Sequence, residues 1–213
     1  EFPEHRLGMV FDASASTIAC GWMVGSGDDS DGIVSRRATD RPFFKPVSLD
    51  PRLARLAVNV ASGPRESGAT LDLMTGTGGF VLEAALSNRE TYGVDLDSLM
   101  IEGAQKNLDW AMPASEAKLL LGDATLLPEV IPIHAHQRIV GFVLDPPYGR
   151  NSQGSLDHAE LIEAVLLSSR NIASENAGLV LILPIHPFGE FPDEALTDDA
   201  ELELLHGEWS EIE

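Results

Sequence analysis

Asp72, Asp95, Asp123 and Asp145 each end a short apolar run, where a carboxylate can accept hydrogen bonds or attract a cation instead of joining a core. After Asp72 the chain reads Leu73-Met74-Thr75-Gly76-Thr77-Gly78-Gly79, a glycine-rich turn that lets backbone approach a ligand closely. Three nucleotide chemistries compete for such a turn. A triphosphate loop needs a lysine directly after its last glycine, and the sequence has no Gly-Lys dipeptide. A dinucleotide fingerprint needs a third small residue where Val81 stands, and Asp72 would repel a pyrophosphate. A ligand without phosphates but with ammonium and sulfonium centres suits the acidic turn, and S-adenosylmethionine is such a ligand. On this reading Asp72, Gly76, Thr77 and Gly78 form the cofactor-binding turn and Asp95 accepts hydrogen bonds from the ribose hydroxyls. Asp123, with Ala124 beside it, meets the adenine amino group.

The segment Asp145-Pro146-Pro147-Tyr148-Gly149 is more specific. Two prolines at the end of a strand can simply stop it, since neither donates to a ladder. That leaves Asp145 and Tyr148 without a reason. The lone pair of an exocyclic purine amine is delocalised into the ring, which makes the nitrogen a poor nucleophile. A carboxylate and a proline carbonyl accepting from its two N–H groups favour a pyramidal nitrogen, while an aromatic ring stacks on the base. Asp145, Pro146, Pro147 and Tyr148 are therefore the expected catalytic residues. Cys20 lies far from every strand end, which disfavours methylation of a pyrimidine carbon, a reaction that generally needs a cysteine nucleophile.

These residues need a scaffold that brings strand ends together. Apolar runs at 69–74, 91–95, 117–123, 138–145 and 178–185 alternate with helix-period segments at 79–88, 98–111 and 156–173. A further helix over 50–61 opens on Asp50 as N-cap and Pro51 at its first position. Alternation at this spacing predicts βαβ units and a mainly parallel twisted sheet with helices on both faces, an α/β Rossmann-like fold. Ligands of such sheets sit at the carboxyl ends of the strands, beside the topological switch. Before this region, 7–12 and 17–24 read as a small β-hairpin, followed by a Gly/Ser/Asp-rich connector at 25–32. The expected division is 1–40 for hairpin and connector and 41–213 for the catalytic domain.

Composition limits the alternatives. A chain of 213 residues with 44% hydrophobic and 23% charged residues can bury a core, and its longest strongly apolar stretch, 179–185, is far too short to cross a bilayer. One cysteine excludes an internal disulfide and points to a reducing cytoplasm. His134 and His136 are spaced as a strand-borne metal pair would be, but no third ligand is evident, and no metal is expected. The net charge of -20 would repel nucleic acid at low salt; in about 1 M salt the Debye length falls to about 3 Å, and such a surface serves solubility in a halophile. The charge is uneven. Residues 36–65 carry seven basic against two acidic residues, so Arg41 and Arg55, together with Arg150 after the catalytic turn, are candidate nucleic-acid contacts.

The glycine turn at 72–79, the acids Asp95 and Asp123, and the Asp-Pro-Pro-Tyr turn resemble the class I S-adenosylmethionine-dependent methyltransferases. More narrowly, RPFFKPVSLDPRLARLAVNVA at 41–61, DLMTGTGGFVLEAAL and DPPYGR resemble the archaeal and eukaryotic tRNA guanosine-10 N2-methyltransferases, over about residues 41–184. The resemblance implies methylation of the exocyclic N2 amine of a guanosine in tRNA and a segment, with Phe43, Phe44 and Pro46, closing over the methionine end of the cofactor, core packing being the alternative for Phe43. It also implies an upstream THUMP domain that captures the tRNA. No such domain is recognisable here, so the sequence reads as a catalytic-domain fragment, truncated at its C-terminus as well. Other enzymatic targets are adenine N6, guanine N2 of ribosomal RNA and a glutamine amide; a noncatalytic cofactor-binding subunit is the reading from another class.

Overall fold

A computed structural model of the chain describes residues 6–12, 17–23, 32–33, 35–46, 48–64, 67–147 and 158–183. Strands β1 (Arg6–Asp12) and β2 (Thr17–Met23) pair antiparallel as the expected hairpin, forming a two-stranded sheet of their own. Among the described residues the main sheet has five strands, β3 (Ala69–Asp72), β4 (Glu90–Asp95), β5 (Lys118–Leu121), β6 (Ile139–Leu144) and β7 (Ala173–Leu181), every pair parallel, in the order β5-β4-β3-β6-β7. The chain steps outward from β3 to β5, then returns to the other side of β3 for β6. The switch point therefore lies between β3 and β6, whose ends carry Asp72 and Asp145.

Among the described residues the α-helices beside the sheet are α1 (Pro51–Ser62), α2 (Gly79–Leu86), α3 (Ser98–Ala111), the single turn α4 (Leu127–Val130) and α5 (His158–Arg170). The two-residue alternation of a strand divides them between faces. On β6, Phe142 and Leu144 join a core with Leu127 of α4 and Val165 of α5, whereas Val143 joins Ala54, Val58 and Ala61 of α1 and Phe80 of α2. The Asp50 side chain accepts from the Arg52 N–H at 2.8 Å and starts α1; Asp97 caps α3 the same way through Leu99 N–H at 2.8 Å. No described helix is long and apolar enough to cross a membrane.

Several limits shift by one or two residues, and the larger differences from the sequence reading lie around the last helix and strand. The last helix ends at Arg170 and β7 starts at Ala173, five residues earlier than the apolar run. Ser174, Glu175 and Asn176 hide the strand's beginning; Asn176 has φ 59°, and the pairing with β6 shifts between Ile139 and Gly141. The 3-10 turn Ala124–Leu126 and the one-turn α4 are too short to leave a period in the sequence.

Candidate active site

A cleft of about 540 Å³ opens at the carboxyl ends of β3, β4, β5 and β6, within the range of small-molecule sites. Its walls include Gly76, Thr77, Asp95, Asp123, Ala124, Asp145, Pro146 and Pro147, all singled out in the sequence. Asp72 and Gly78 stand behind the lining. The φ of Gly76 is 51° and that of Gly78 is 82°, and a β-carbon on Gly78 would come within 2.9 Å of Ala104 Cβ on α3. Glycine at 78 thus satisfies both a left-handed turn and a close helix approach.

The aspartates play different parts. Asp95 Oδ2 accepts the Gly76 N–H at 2.7 Å and Oδ1 the Asp97 N–H at 2.9 Å, which fixes the carboxylate while each oxygen keeps acceptor capacity. Burial pushes its pKa up, and those two backbone N–H groups oppose the rise. Asp123 takes both the N–H and the hydroxyl of Thr125 on Oδ1, at 2.9 and 2.8 Å, and leaves Oδ2 for other donors. Asp72 is 1% exposed. Neither of its oxygens has a hydrogen-bond partner; the N–H groups of Met74 and Val81 favour its charge but stand outside hydrogen-bonding geometry. Burial above all, then the charges of Asp95 and Asp145, holds its pKa well above the usual carboxylate range. This pocket of acidity has a strong preference for a cation.

A second buried cluster lies behind the glycine turn. Glu83 on α2 is 0% exposed and takes Arg36 on Oε1 at 2.9 Å and Arg55 on Oε2 at 2.8 Å. Arg41 completes it, donating Nε–H to Arg36 O at 3.0 Å, with Nη1 and Nη2 buried and unpartnered beside Gly79. Desolvation lowers the Arg41 pKa. Arg41 is 4% exposed and Arg55 is tied to Glu83, so these two residues, read as nucleic-acid contacts, belong to an internal brace, whereas Arg37 and Arg52 of the same stretch are exposed. An acid buried 28 residues after Arg55 leaves no local signal in the sequence.

Phe44 is 45% exposed and is not part of the cleft wall; Lys45, Ser48 and Leu49 of the same segment are. Leu96, Asp97 and Met100 also line the cleft without having been singled out in the sequence. Leu96, 65% exposed, lies in the run Asp95-Leu96-Asp97-Ser98, a helix-start signature that could have flagged it. Tyr148 and Arg150 lie outside the described residues. His136 Nε2 is 2.9 Å from Ile131 O and His134 Nε2 is 3.5 Å from the Tyr92 hydroxyl; among the described residues no three His, Cys, Asp or Glu could hold a metal ion.

Residues 38–188 match the family described as UPF0020: RMKL-like, methyltransferase domain. A tRNA (guanine(10)-N2)-dimethyltransferase of Pyrococcus abyssi is 36% identical over 137 residues, 64% of this chain and 40% of its own length. Its counterpart in Methanothermobacter thermautotrophicus is 31% identical over 150 residues, 70% of this chain and 42% of its own. The chain thus spans about two fifths of the length of these curated relatives. Among solved structures, TrmN from Thermus thermophilus has a TM-score of 0.53 at 25% identity, over 64% of this chain and 39% of its own. A precorrin 8W decarboxylase of Methanobacterium thermoautotrophicum, with a TM-score of 0.50 at 20% identity over 80% of this chain and 76% of its own, shares the fold alone.

Proposed function

We infer the function of this chain from its family: it belongs to the RMKL-like methyltransferase domain family, and it transfers a methyl group from S-adenosylmethionine to the exocyclic N2 amine of a guanosine in tRNA. The observation that carries this reading is the convergence of Asp95, Asp123 and Asp145, from three separate strand ends, on one cleft beside a flexible-backbone glycine turn. The names of the relatives from Pyrococcus and Methanothermobacter support the tRNA guanine target.

The residues present fit the donor. Asp72, buried and without a hydrogen-bond partner, favours an ammonium or sulfonium charge nearby, and the unpartnered Nη1 and Nη2 of Arg41 favour a carboxylate. Asp95 would hold the ribose hydroxyls, and Asp123 with Ala124, Leu96 and Met100 would hold the adenine between a hydrogen-bond acceptor and apolar surface. S-adenosylmethionine supplies a methyl group on a sulfonium centre. At the other end of the cleft, the Asp145 carboxylate and a carbonyl of the Pro146-Pro147 turn accept hydrogen bonds from the two N–H groups of the amine, which directs its lone pair; Tyr148 stacks on the base. Attack by the nitrogen on the methyl carbon would break the methyl–sulfur bond and leave the donor as a neutral thioether, S-adenosylhomocysteine; the extra proton on nitrogen would then leave to water, so no strong base is required.

Capture of the tRNA by an upstream RNA-binding domain belongs to the same proposal, with Arg150, two residues after Tyr148 in the sequence, as a candidate contact. The division at residue 40, a cytoplasmic setting and a salt-adapted archaeal source are part of the same proposal; the net charge of -20 supports the salt adaptation. The test is nucleoside analysis of a tRNA transcript incubated with the protein in its full-length form and labelled donor. N2-methylguanosine is the expected product; label in another nucleoside, or none with donor bound, rejects the target.

A further inference from the structure

The cleft has a wall that does not belong to the sheet. Lys45, Ser48 and Leu49 line it, and they lie in the strap from Arg41 to Leu49, which forms no strand and no helix where it is described. Such a segment holds its place only through what it is tied to. Its principal tie is one side chain, Asn107 on α3, which is 0% exposed.

The Asn107 amide uses both its donors and one acceptor site. Oδ1 accepts the Phe43 N–H at 2.8 Å, and Nδ2 donates to Phe43 O at 2.8 Å and to Thr77 O at 2.9 Å. The first two bonds clamp the strap, and the third holds the glycine turn. The opposite amide orientation would set an NH2 against the Phe43 N–H, so the hydrogen-bond network fixes this one. Around this clamp the Phe43 ring sits on Gly103, one turn earlier on α3, where any β-carbon would collide with it, and Ser48 Oγ meets Thr77 Oγ1 at 3.0 Å. Strap and glycine turn thus meet on the same face of α3.

We propose that Asn107 is a positioning residue that locks strap and glycine turn to one another, so that the donor cleft is assembled only when both are docked on α3. The proposal rests on the reading of the cleft as a donor site. It makes a helix residue that lines no wall a determinant of donor affinity, because each wall segment is held by a different atom of one amide. A carboxylate at 107 could still accept from Phe43 N–H but would face two carbonyl oxygens it cannot donate to.

The test is calorimetric titration of S-adenosylhomocysteine into wild type, Asn107→Asp and Gly103→Ala, with melting of the ligand-free proteins as a control for folding. Wild type without binding would reject the donor site itself, a separate failure. Given wild-type binding, both variants are expected to bind about tenfold more weakly or worse, as for loss of hydrogen bonds in a buried site. The ratio of Asn107→Asp to wild-type dissociation constants is expected to fall from pH 8 to pH 6, because a protonated carboxyl at position 107 donates again and its partners, Phe43 N–H, Phe43 O and Thr77 O, do not titrate. Gly103→Ala keeps α3, since alanine is the better helix former, and pushes the Phe43 ring, and the strap with it, off the helix, so it carries the test if Asn107→Asp does not fold. Wild-type affinity in both variants, or a weakening of Asn107→Asp by one constant factor at every pH, would overturn the proposal.

Discussion

The Gly76 N–H donates to Asp95 Oδ2 at 2.7 Å, so the acid that ends β4 also fixes the turn that leaves β3. Two segments far apart in sequence thereby act as one rim of the cleft. Asp95→Ala should lose both the turn's anchor and the acceptor for the ribose, and the dissociation constant for S-adenosylhomocysteine is expected to rise by about a hundredfold. Asp95→Asn, which can still accept, should fall between. Calorimetric titration checks both.

Asp72 sets a pH dependence of the cofactor-free protein. Its folded pKa is raised above the ordinary 3.8, so its favourable contribution is complete below about that pH and is lost as pH rises through the folded value. Asp72→Asn removes the effect. The variant should melt higher than wild type at pH 8, with the difference shrinking toward pH 5, while its affinity for the donor drops. Thermal melting across pH, with and without donor, measures both halves.

Glu83 is expected to behave as a structural residue and not as part of the site. Removing it by Glu83→Ala leaves Arg36 and Arg55 without their shared ion-pair partner and takes from Arg41 the larger of two favourable charges, Asp50 remaining, at about 3–5 kcal/mol of stability by analogy with broken buried ion pairs. Denaturant unfolding reads this directly, and the loss should exceed that of any other single substitution named here.

Arg41→Met separates the two roles left to Arg41. The replaced guanidinium has two unpartnered nitrogens, so stability without ligand should hold or rise, whereas donor affinity should fall by about tenfold. Equal affinity with lower stability would assign Arg41 to the brace alone.

Much of the fold was readable because it rests on local signals. The helix expected at 98–111 is α3 from Ser98 to Ala111, marked by the Asp97 cap; the strand end at Asp95 falls where its apolar run stops, and that at Asp72 two residues before. The site was readable for the same reason: a parallel sheet aligns its strand ends, so acids at those ends converge. What escaped depended on pairs distant in sequence. Arg41 and Arg55 read as surface cations because Glu83, on another helix, gives no hint of its burial. In the strap, Phe43, Phe44 and Pro46 read as closing over the cofactor, but the Phe43 ring packs on Gly103, and Lys45, Ser48 and Leu49 are the residues of this segment that line the cleft. Asn107 carried no signal, since an asparagine within a helix is ordinary until its three partners are known.

Asp145→Asn should keep donor affinity near that of wild type and reduce methyl transfer by roughly a hundredfold, because the amine loses part of its orientation. A filter assay of label transferred to tRNA, beside calorimetry, separates the two effects.

The most direct measurement is a crystal structure with S-adenosylhomocysteine bound. The expected result is density in the cleft, with the ribose hydroxyls on Asp95, the adenine beside Asp123 and Ala124, and the sulfur facing Asp145-Pro146-Pro147. Density at another surface, or the same cleft holding the ligand with its sulfur turned away from Asp145, would contradict it.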